Sequence, residues 1–216
     1  MNRNRSGFAV MAGLIGMIKP MLGIMLLAVL MGCIGNLMAT FITVLGGYGL
    51  LIVTGYYGKM SLALIITLMA VFAILRGVLR YAEQACNHFI AFKLLARIRH
   101  QVFAALRKLA PAKLDGSEKG NLISIITSDI ELLEVFYAHT ISPIAIATLT
   151  SLIMIVFIGR YHWMAGLLAL AAYLIVGVAI PVWNGRRGSQ MGMEFRTNFG
   201  ELNSFALDSL RGLDET

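Results

Sequence analysis

The feature that most constrains this chain is a stretch of about fifty residues, from Lys59 to Leu109, that has no proline and a single glycine, Gly77. The stretch is apolar at first and basic afterwards, which predicts one continuous helix. At 1.5 Å per residue such a helix is ~75 Å long, whereas the hydrocarbon core of a bilayer is ~30 Å thick. The sequence therefore predicts a helix that crosses a membrane and continues into the aqueous phase.

The composition also points to a membrane protein. Of 216 residues, 58% are hydrophobic and only 13% are charged, whereas about 25% are charged in an average soluble domain. The net charge of +7 is explained by basic residues held at one membrane face, so nucleic acid is not a predicted partner. Cys33 and Cys86 lie in apolar stretches without the spacing of a metal site, and no metal site is predicted.

Four segments are long and apolar enough to cross a bilayer, at about residues 21–45, 61–80, 135–158 and 163–183. Residues 1–19 are predicted to form a helix at the membrane interface that turns into the first span at Pro20. A joint rich in glycine and tyrosine, from Gly46 to Gly58, connects the first two spans. The predicted fold class is an all-α integral membrane protein with four long transmembrane helices and cytoplasmic extensions.

The basic residues predict the orientation in the membrane. Sixteen of the eighteen lysines and arginines lie in the N-terminal segment, in the segment from Arg76 to Lys119, or in the C-terminal tail. The positive-inside rule places all three in the cytoplasm, so both termini are expected there.

The second predicted helix is basic beyond Arg80, and the chain returns along it through an acidic segment. An antiparallel pair is expected, in which Arg97 approaches Glu134 and either Arg99 or His100 approaches Glu131. Such exposed pairs contribute at most ~1 kcal/mol each but favour one register.

Several stretches resemble the transmembrane domain of ABC exporters. The similarity is greatest to the CydC-type half of heterodimeric cysteine and glutathione exporters associated with cytochrome bd assembly. The stretches that carry the resemblance are Leu79-Arg80-Tyr81-Ala82-Glu83 with His88 and Phe92, Leu94-Leu95-Ala96-Arg97-Ile98-Arg99 with Leu109-Ala110-Pro111, Gly120-Asn121-Leu122-Ile123-Ser124, Ser128-Asp129-Ile130, Ile141-Ser142-Pro143 and Asp208-Ser209-Leu210-Arg211-Gly212.

The resemblance implies a six-helix membrane domain, of which this chain looks truncated after four spans, a second half-transporter and a nucleotide-binding domain. It places coupling regions at about residues 113–121 and 204–216. The residues expected to contact the nucleotide-binding domain are Asp115, Gly116, Ser117, Glu118, Lys119, Gly120, Asn121, Asp208, Arg211 and Gly212. No G-x-x-x-x-G-K-[ST] phosphate loop occurs in the 216 residues, so ATP and Mg²⁺ are expected on that other domain, and the chain alone is not predicted to be an enzyme.

A polar cluster on the second helix is the candidate substrate site. Arg76, Arg80, Glu83 and Asn87 follow one another at i, i+4, i+7 and i+11 and share a helix face. Ionisable groups at membrane depth are costly unless they are paired, hydrated or functional. Either the arginines attract the carboxylates of an anionic substrate, with Glu83 pairing Arg80, or they snorkel to lipid phosphates while Glu83 neutralises one of them.

His88 lies about one turn further along the same helix. The resemblance implies a haem contact at this histidine, whereas the alternative is an ordinary hydrogen-bonded helix residue. No second iron ligand is evident from the spacing.

The predicted function is the membrane-spanning part of an ATP-driven exporter of cysteine, glutathione or another amino-acid-derived substrate in the bacterial cytoplasmic membrane. One alternative is export of a lipid, peptide or drug by the same fold. Another is a membrane scaffold or haem-binding subunit that transports nothing.

Overall fold

The computed structural model describes residues 13–56, 58, 60–109 and 130–212. In this part of the chain every regular element is helical. After a 3₁₀ turn at Lys19–Met21, the α-helices are α1 (Leu22–Val53), α2 (Leu62–Leu109), α3 (Ile130–Phe136), α4 (Ser142–Tyr161), α5 (Trp163–Leu174) and α6 (Ile180–Gly212). Two π-helical turns, Tyr137–Ile141 and Ile175–Ala179, connect α3 to α4 and α5 to α6.

The predicted fold class is confirmed, because the described residues contain four long helical stretches that are apolar enough to cross a membrane. These stretches are Lys19–Val53, Leu62–Lys108, Ile130–Tyr161 and Trp163–Ser189. Helix α2 runs without interruption over 48 residues, as its lack of proline predicts. A span needs only about 20 residues.

The described residues fall into two compact units. The first contains residues 13–94 and 134–150, and the second contains residues 95–109, 130–133 and 151–212. The first unit holds α1, most of α2 and the candidate site. The second unit holds the rest of α2, the turn between α4 and α5, and all of α6.

Glycines of α1 set its antiparallel register against α2. A Cβ added at each of these glycines would lie within 4 Å of an α2 side chain, and the numbers of these α2 residues rise as the α1 numbers fall. The pairs are Gly49 with Ile65, Gly46 with Met69, and Gly35 with Leu79, and Gly32 adds Glu83 among its neighbours. Small residues allow two membrane helices to approach closely, so this stripe places α2 side chains directly against the backbone of α1.

The predicted joint from Gly46 to Gly58 is wrong at its start, because α1 continues to Val53. Gly49 is buried against Ile65 and Leu62, so packing on α2 outweighs the weak helix preference of glycine. The helix ends where Gly55 adopts a φ of +77°. The amides of Gly55 and Tyr56 donate to the carbonyls of Ile52 and Leu51, which is the Schellman pattern of helix ends.

Each π-helical turn ends two residues before a proline. Ile141 precedes Pro143, and Ala179 precedes Pro181. Proline has no N–H to donate to the carbonyl four residues earlier, and its ring crowds that carbonyl. A wider turn at this point relieves the conflict, which explains why both helices leave α geometry where they do.

Tyr137 fastens the N-terminal part of the first unit. Its side chain is fully buried, and its hydroxyl donates a hydrogen bond of 3.0 Å to the backbone carbonyl of Leu14. Residues 13–16 are helical, so the first π-helical turn holds the end of this helical segment beside α1. A buried phenol normally finds such a partner.

In the second unit, α4 and α5 form a tight hairpin. A Cβ added at Gly166 on α5 would lie 2.8 Å from the Cα of Gly159 on α4, which is closer than two unbonded carbon atoms can sit. The backbones therefore touch at this point. Apart from the half-buried Gly200, the residues of helix α6 whose burial is described are exposed. Arg187 lies over the ring of Trp183 at 4.9 Å.

We predict that Gly166→Ala destabilises the protein by about 1–3 kcal/mol, because the new methyl group forces two helix backbones apart. The matched control is Gly192→Ala in α6, where an added Cβ meets nothing within 4 Å. Alanine there is expected to be neutral or to stabilise by about 0.5–1 kcal/mol. Denaturant unfolding of the two variants in the same detergent measures the difference, and equal midpoints would contradict the tight hairpin.

Candidate functional site

Glu83 lies at the centre of the candidate site because α1 presents a glycine to it. A Cβ added at Gly32 would lie 3.2 Å from the Cδ of Glu83 and even closer to the side chain of Ile146. Only a residue without a side chain leaves this room. The Glu83 side chain is 1% exposed, so the carboxylate is enclosed by protein on nearly all sides.

Arg80 and Asn87 satisfy the buried carboxylate from the same helix. Nη1 of Arg80 donates to Oε2 of Glu83 at 2.6 Å, and Nδ2 of Asn87 donates to Oε1 at 3.3 Å. Asn87 is itself buried, and its Oδ1 has no hydrogen-bond partner among the described residues. A buried carboxylate is tolerated when it is paired and hydrogen-bonded, and this chain of three side chains meets that condition.

Arg76 takes no part in the hydrogen bonds that join Arg80, Glu83 and Asn87. It lies one turn before Arg80 on the same face of α2, and the described residues offer it neither an ion pair nor a hydrogen bond. The site therefore contains two guanidinium groups and one carboxylate. Its net charge with ionised side chains is +1.

These groups line a cavity of about 380 Å³ between α1 and α2. Arg76, Arg80 and Glu83 contribute from α2, whereas Met31, Gly32, Gly35 and Asn36 contribute from α1. Cavities that bind small molecules begin at about this size. The cavity combines a free cation, a neutralised cation and an amide, which suits a small ligand that carries an anionic group.

Asn36 is a site residue that sequence reasoning missed. The helix that carries it, α1, contains no charged residue over 32 positions, so an amide in its middle is unusual at membrane depth. An amide within an uncharged membrane helix was therefore the sequence feature that could have identified Asn36 as a site residue. Only the antiparallel register of α1 and α2 shows that Asn36 shares a cavity with the arginines.

His88 lies among a carboxylate and two aromatic rings. Its Nδ1 is 3.6 Å from Oε1 of Glu134, slightly beyond hydrogen-bond length. Its ring centroid is 5.8 Å from that of Phe92 and 5.4 Å from that of His139. His139 belongs to the first π-helical turn and was not singled out by the sequence. Cys33 and Cys86 are free thiols.

Glu134 was predicted to pair with Arg97, and this prediction is wrong, because its carboxylate lies with His88 instead. The companion prediction holds, since Nη2 of Arg99 lies 3.8 Å from Oε1 of Glu131. Both of those side chains are exposed, so the second pair contributes little to stability. Both acidic residues belong to α3, and the prediction placed their partners two or three residues apart on α2, whereas His88 and Arg99 are eleven residues apart.

The coupling regions are only partly within the described residues. Asp115, Gly116, Ser117, Glu118, Lys119, Gly120 and Asn121 lie outside them. Asp208, Arg211 and Gly212 lie in the last turns of α6. The helical bounds of α6 show that the second region is helical up to Gly212.

Comparison with known proteins agrees with this architecture of long apolar helices. Four candidate spans define a multi-pass membrane protein. Residues 21–214 match the model of the ABC transporter transmembrane region family. The chain belongs to this family, and it forms a membrane part of an ABC transporter.

Three relatives show how far the similarity extends. A probable ABC transporter ATP-binding/permease protein of Haemophilus influenzae is 46% identical over 98% of this chain. The glutathione/L-cysteine transport system ATP-binding/permease protein CydC of the same organism is 27% identical over 60% of the chain. An ATP-dependent lipid A-core flippase of Shewanella frigidimarina is 25% identical over 64%. The chain spans 38%, 24% and 23% of these relatives, respectively.

We predict that Arg80→Leu destabilises the protein more than Arg76→Leu does. Removing Arg80 leaves the enclosed Glu83 carboxylate without its cation, whereas Arg76 has no ion pair to lose. The expected difference is about 1–2 kcal/mol, below the 3–5 kcal/mol of a fully buried pair, because the Arg80 side chain is 59% exposed. Unfolding in detergent measures it.

The double variant Arg80→Leu/Glu83→Leu tests the reason for this difference. It is expected to recover part of the lost stability, because the unpaired charge is gone. If the loss of stability in the double variant equals the sum of the losses in Arg80→Leu and Glu83→Leu, the pairing is contradicted.

Proposed function

We propose that this chain supplies membrane-spanning helices of an ATP-driven exporter for a small thiol or amino-acid-derived anion, with cysteine and glutathione as the leading substrates. The carrying observation is the cavity in which Arg76 stands unpaired beside the Arg80–Glu83 pair. The guanidinium groups of Arg76 and Arg80 each present paired N–H donors, and this arrangement matches the two oxygens of a carboxylate. The names of the CydC relatives, which mention glutathione and L-cysteine, support the same substrate class.

In the proposed mechanism Arg76 attracts the substrate carboxylate into the inward-facing cavity. Glu83 competes with the substrate for Arg80, which limits how tightly an anion is held and so allows its release. Binding strong enough to enter and weak enough to leave is a general requirement of transport sites. In this proposal ATP and Mg²⁺ bind to a nucleotide-binding domain that lies outside the 216 residues.

We propose that the two coupling regions, about residues 113–121 and 204–216, seat on that domain. A stiff helix pair transmits the displacement of its tip to the membrane part as a rigid body. A second half-transporter completes the translocation path, and a heterodimer is the proposed assembly. Both termini face the cytoplasm of a bacterial cell, as the distribution of basic residues suggests.

A lipid exporter is the main competing function, since a lipid A-core flippase is similar to the chain at nearly the same identity as the CydC relative. The cavity favours the smaller substrate. Its charged and amide groups offer sites for a compact polar ion, whereas a lipid also needs an apolar surface for its acyl chains. A scaffold without transport would leave the unpaired Arg76 and the cavity without a role.

The proposal predicts that Arg76→Gln in the complete transporter raises the substrate concentration for half-maximal ATPase stimulation at least tenfold. A charge-assisted hydrogen bond to a carboxylate is lost, while the shape of the side chain is largely kept. Arg196→Gln, a change outside the cavity lining, serves as the control. Unchanged substrate dependence in the variant Arg76→Gln/Arg80→Gln would remove the substrate role of both arginines.

We propose a haem contact at His88 as a second function of the same helix. The Nδ1 atom is enclosed and lies 3.6 Å from the Glu134 carboxylate, whereas the His88 side chain as a whole is 40% exposed. A histidine that binds a metal through Nε2 commonly has its Nδ1 oriented by a carboxylate. Haem would supply a redox-active iron centre, and the protein residues that fit it are His88 as ligand and Glu134 as the group that orients it.

The haem proposal predicts that His88→Ala abolishes the haem absorbance band of the protein purified from haem-sufficient cells. Glu134→Gln is expected to weaken haem binding about 10–100-fold, as is typical when the residue that orients a ligand is changed. His100→Ala, on the same helix, is the control. An unchanged band in His88→Ala would exclude His88 as the ligand.

A further inference from the structure

The cavity contains two polar side chains to which the described part of the chain offers no partner. Arg76 has no ion-pair or hydrogen-bond partner among the described residues, and the same holds for the side chain of Asn36. They come from different helices, α2 and α1, and both line the cavity. Arg80 is already bound to Glu83, whose other oxygen is held by Asn87.

An amide without a partner is expensive in a membrane helix. Asparagine has one acceptor oxygen and two N–H donors, and water or a ligand must satisfy them at this depth. Thr40 hydrogen-bonds to the backbone carbonyl of Asn36, not to its side chain. The amide therefore stays available to the cavity, while the backbone of this turn is fixed.

The two free groups recognise different chemistry. The guanidinium of Arg76 binds a carboxylate, and the amide of Asn36 can donate to a peptide carbonyl or accept from a peptide N–H. The register explains why both reach one ligand: Gly35 packs on Leu79 and Gly32 packs near Glu83, so Asn36 lies at the level of α2 just beyond Arg76. A free amino acid offers Arg76 its carboxylate and can donate from its ammonium group to the Asn36 oxygen, but it has no further carbonyl to accept from the Asn36 N–H groups.

We propose that Asn36 is a specificity-determining residue that selects substrates with an amide bond near a carboxylate over free amino acids. The inference rests on the proposed function, because it concerns the same cavity and substrate class. A site that hydrogen-bonds a substrate group discriminates against analogues that lack the group, since its own polar atoms then stay unpaired.

The test compares two thiols in inside-out membrane vesicles that contain the complete transporter. Labelled glutathione has two amide bonds, and labelled cysteine has none. Asn36→Leu keeps the approximate shape of the side chain and removes its hydrogen-bonding groups. It is expected to raise the half-saturating concentration of glutathione about tenfold and that of cysteine less than twofold.

Controls separate selectivity from misfolding. Asn36→Ala is a second variant, and it should show the same change in the ratio of the two half-saturating concentrations. Asn184→Leu replaces an asparagine of α6 outside the cavity lining and should leave the ratio unchanged. An elution volume in size-exclusion chromatography and a denaturant midpoint similar to those of the unchanged protein show that a variant has folded.

The possible outcomes distinguish this inference from the function on which it rests. Uptake of both thiols with equal changes for the two, or with no change in the Asn36 variants, overturns the role of Asn36 alone. Uptake of neither thiol by the unchanged transporter overturns the proposed function and this inference together. A glutathione-selective loss supports both.

Discussion

The close approach of α1 and α2 is the constraint on which the first unit depends. Along α1 the glycines at positions 32, 35, 46 and 49 leave room for side chains of α2, and this fixes an antiparallel register without polar contacts. Helices in a membrane gain little from the hydrophobic effect between them, so contact between backbone and side chain must supply the attraction. The register places Glu83 against Gly32 and brings Asn36 of α1 to the same cavity as Arg76, Arg80 and Glu83.

The buried carboxylate turns this packing into a site with chemistry. Glu83 is costly to enclose, and the cost is offset by Arg80 and Asn87 on its own helix. These two partners satisfy the carboxylate, and Arg76 and Asn36 are polar side chains of the cavity lining to which the described residues offer no partner. A structural role for Glu83 and a ligand-binding role for Arg76 are thus compatible, although both residues lie on one helix face.

Features within one helix could be predicted from the sequence, whereas contacts between helices could not. The absence of proline in α2 predicted one long helix, and the spacing of Arg76, Arg80 and Glu83 placed them on one face. Asn36 was missed because its relation to these residues depends on contact between two helices, which periodicity within one helix does not reveal. Glu134 was assigned to Arg97 from the spacing of charges along two helices, and that spacing does not show which residues meet across them; its carboxylate lies with His88.

The two π-helical turns change the direction in which the residues after them face. A wide turn uses one more residue per hydrogen-bonded ring than an α-helical turn does, and one residue corresponds to about 100° of rotation around the axis. Side chains on opposite sides of Tyr137–Ile141 or of Ile175–Ala179 are therefore out of phase. The residues that face lipid and those that face protein must therefore be assigned separately before and after each turn. A single helical wheel drawn through either turn would place the later residues on the wrong face of the helix.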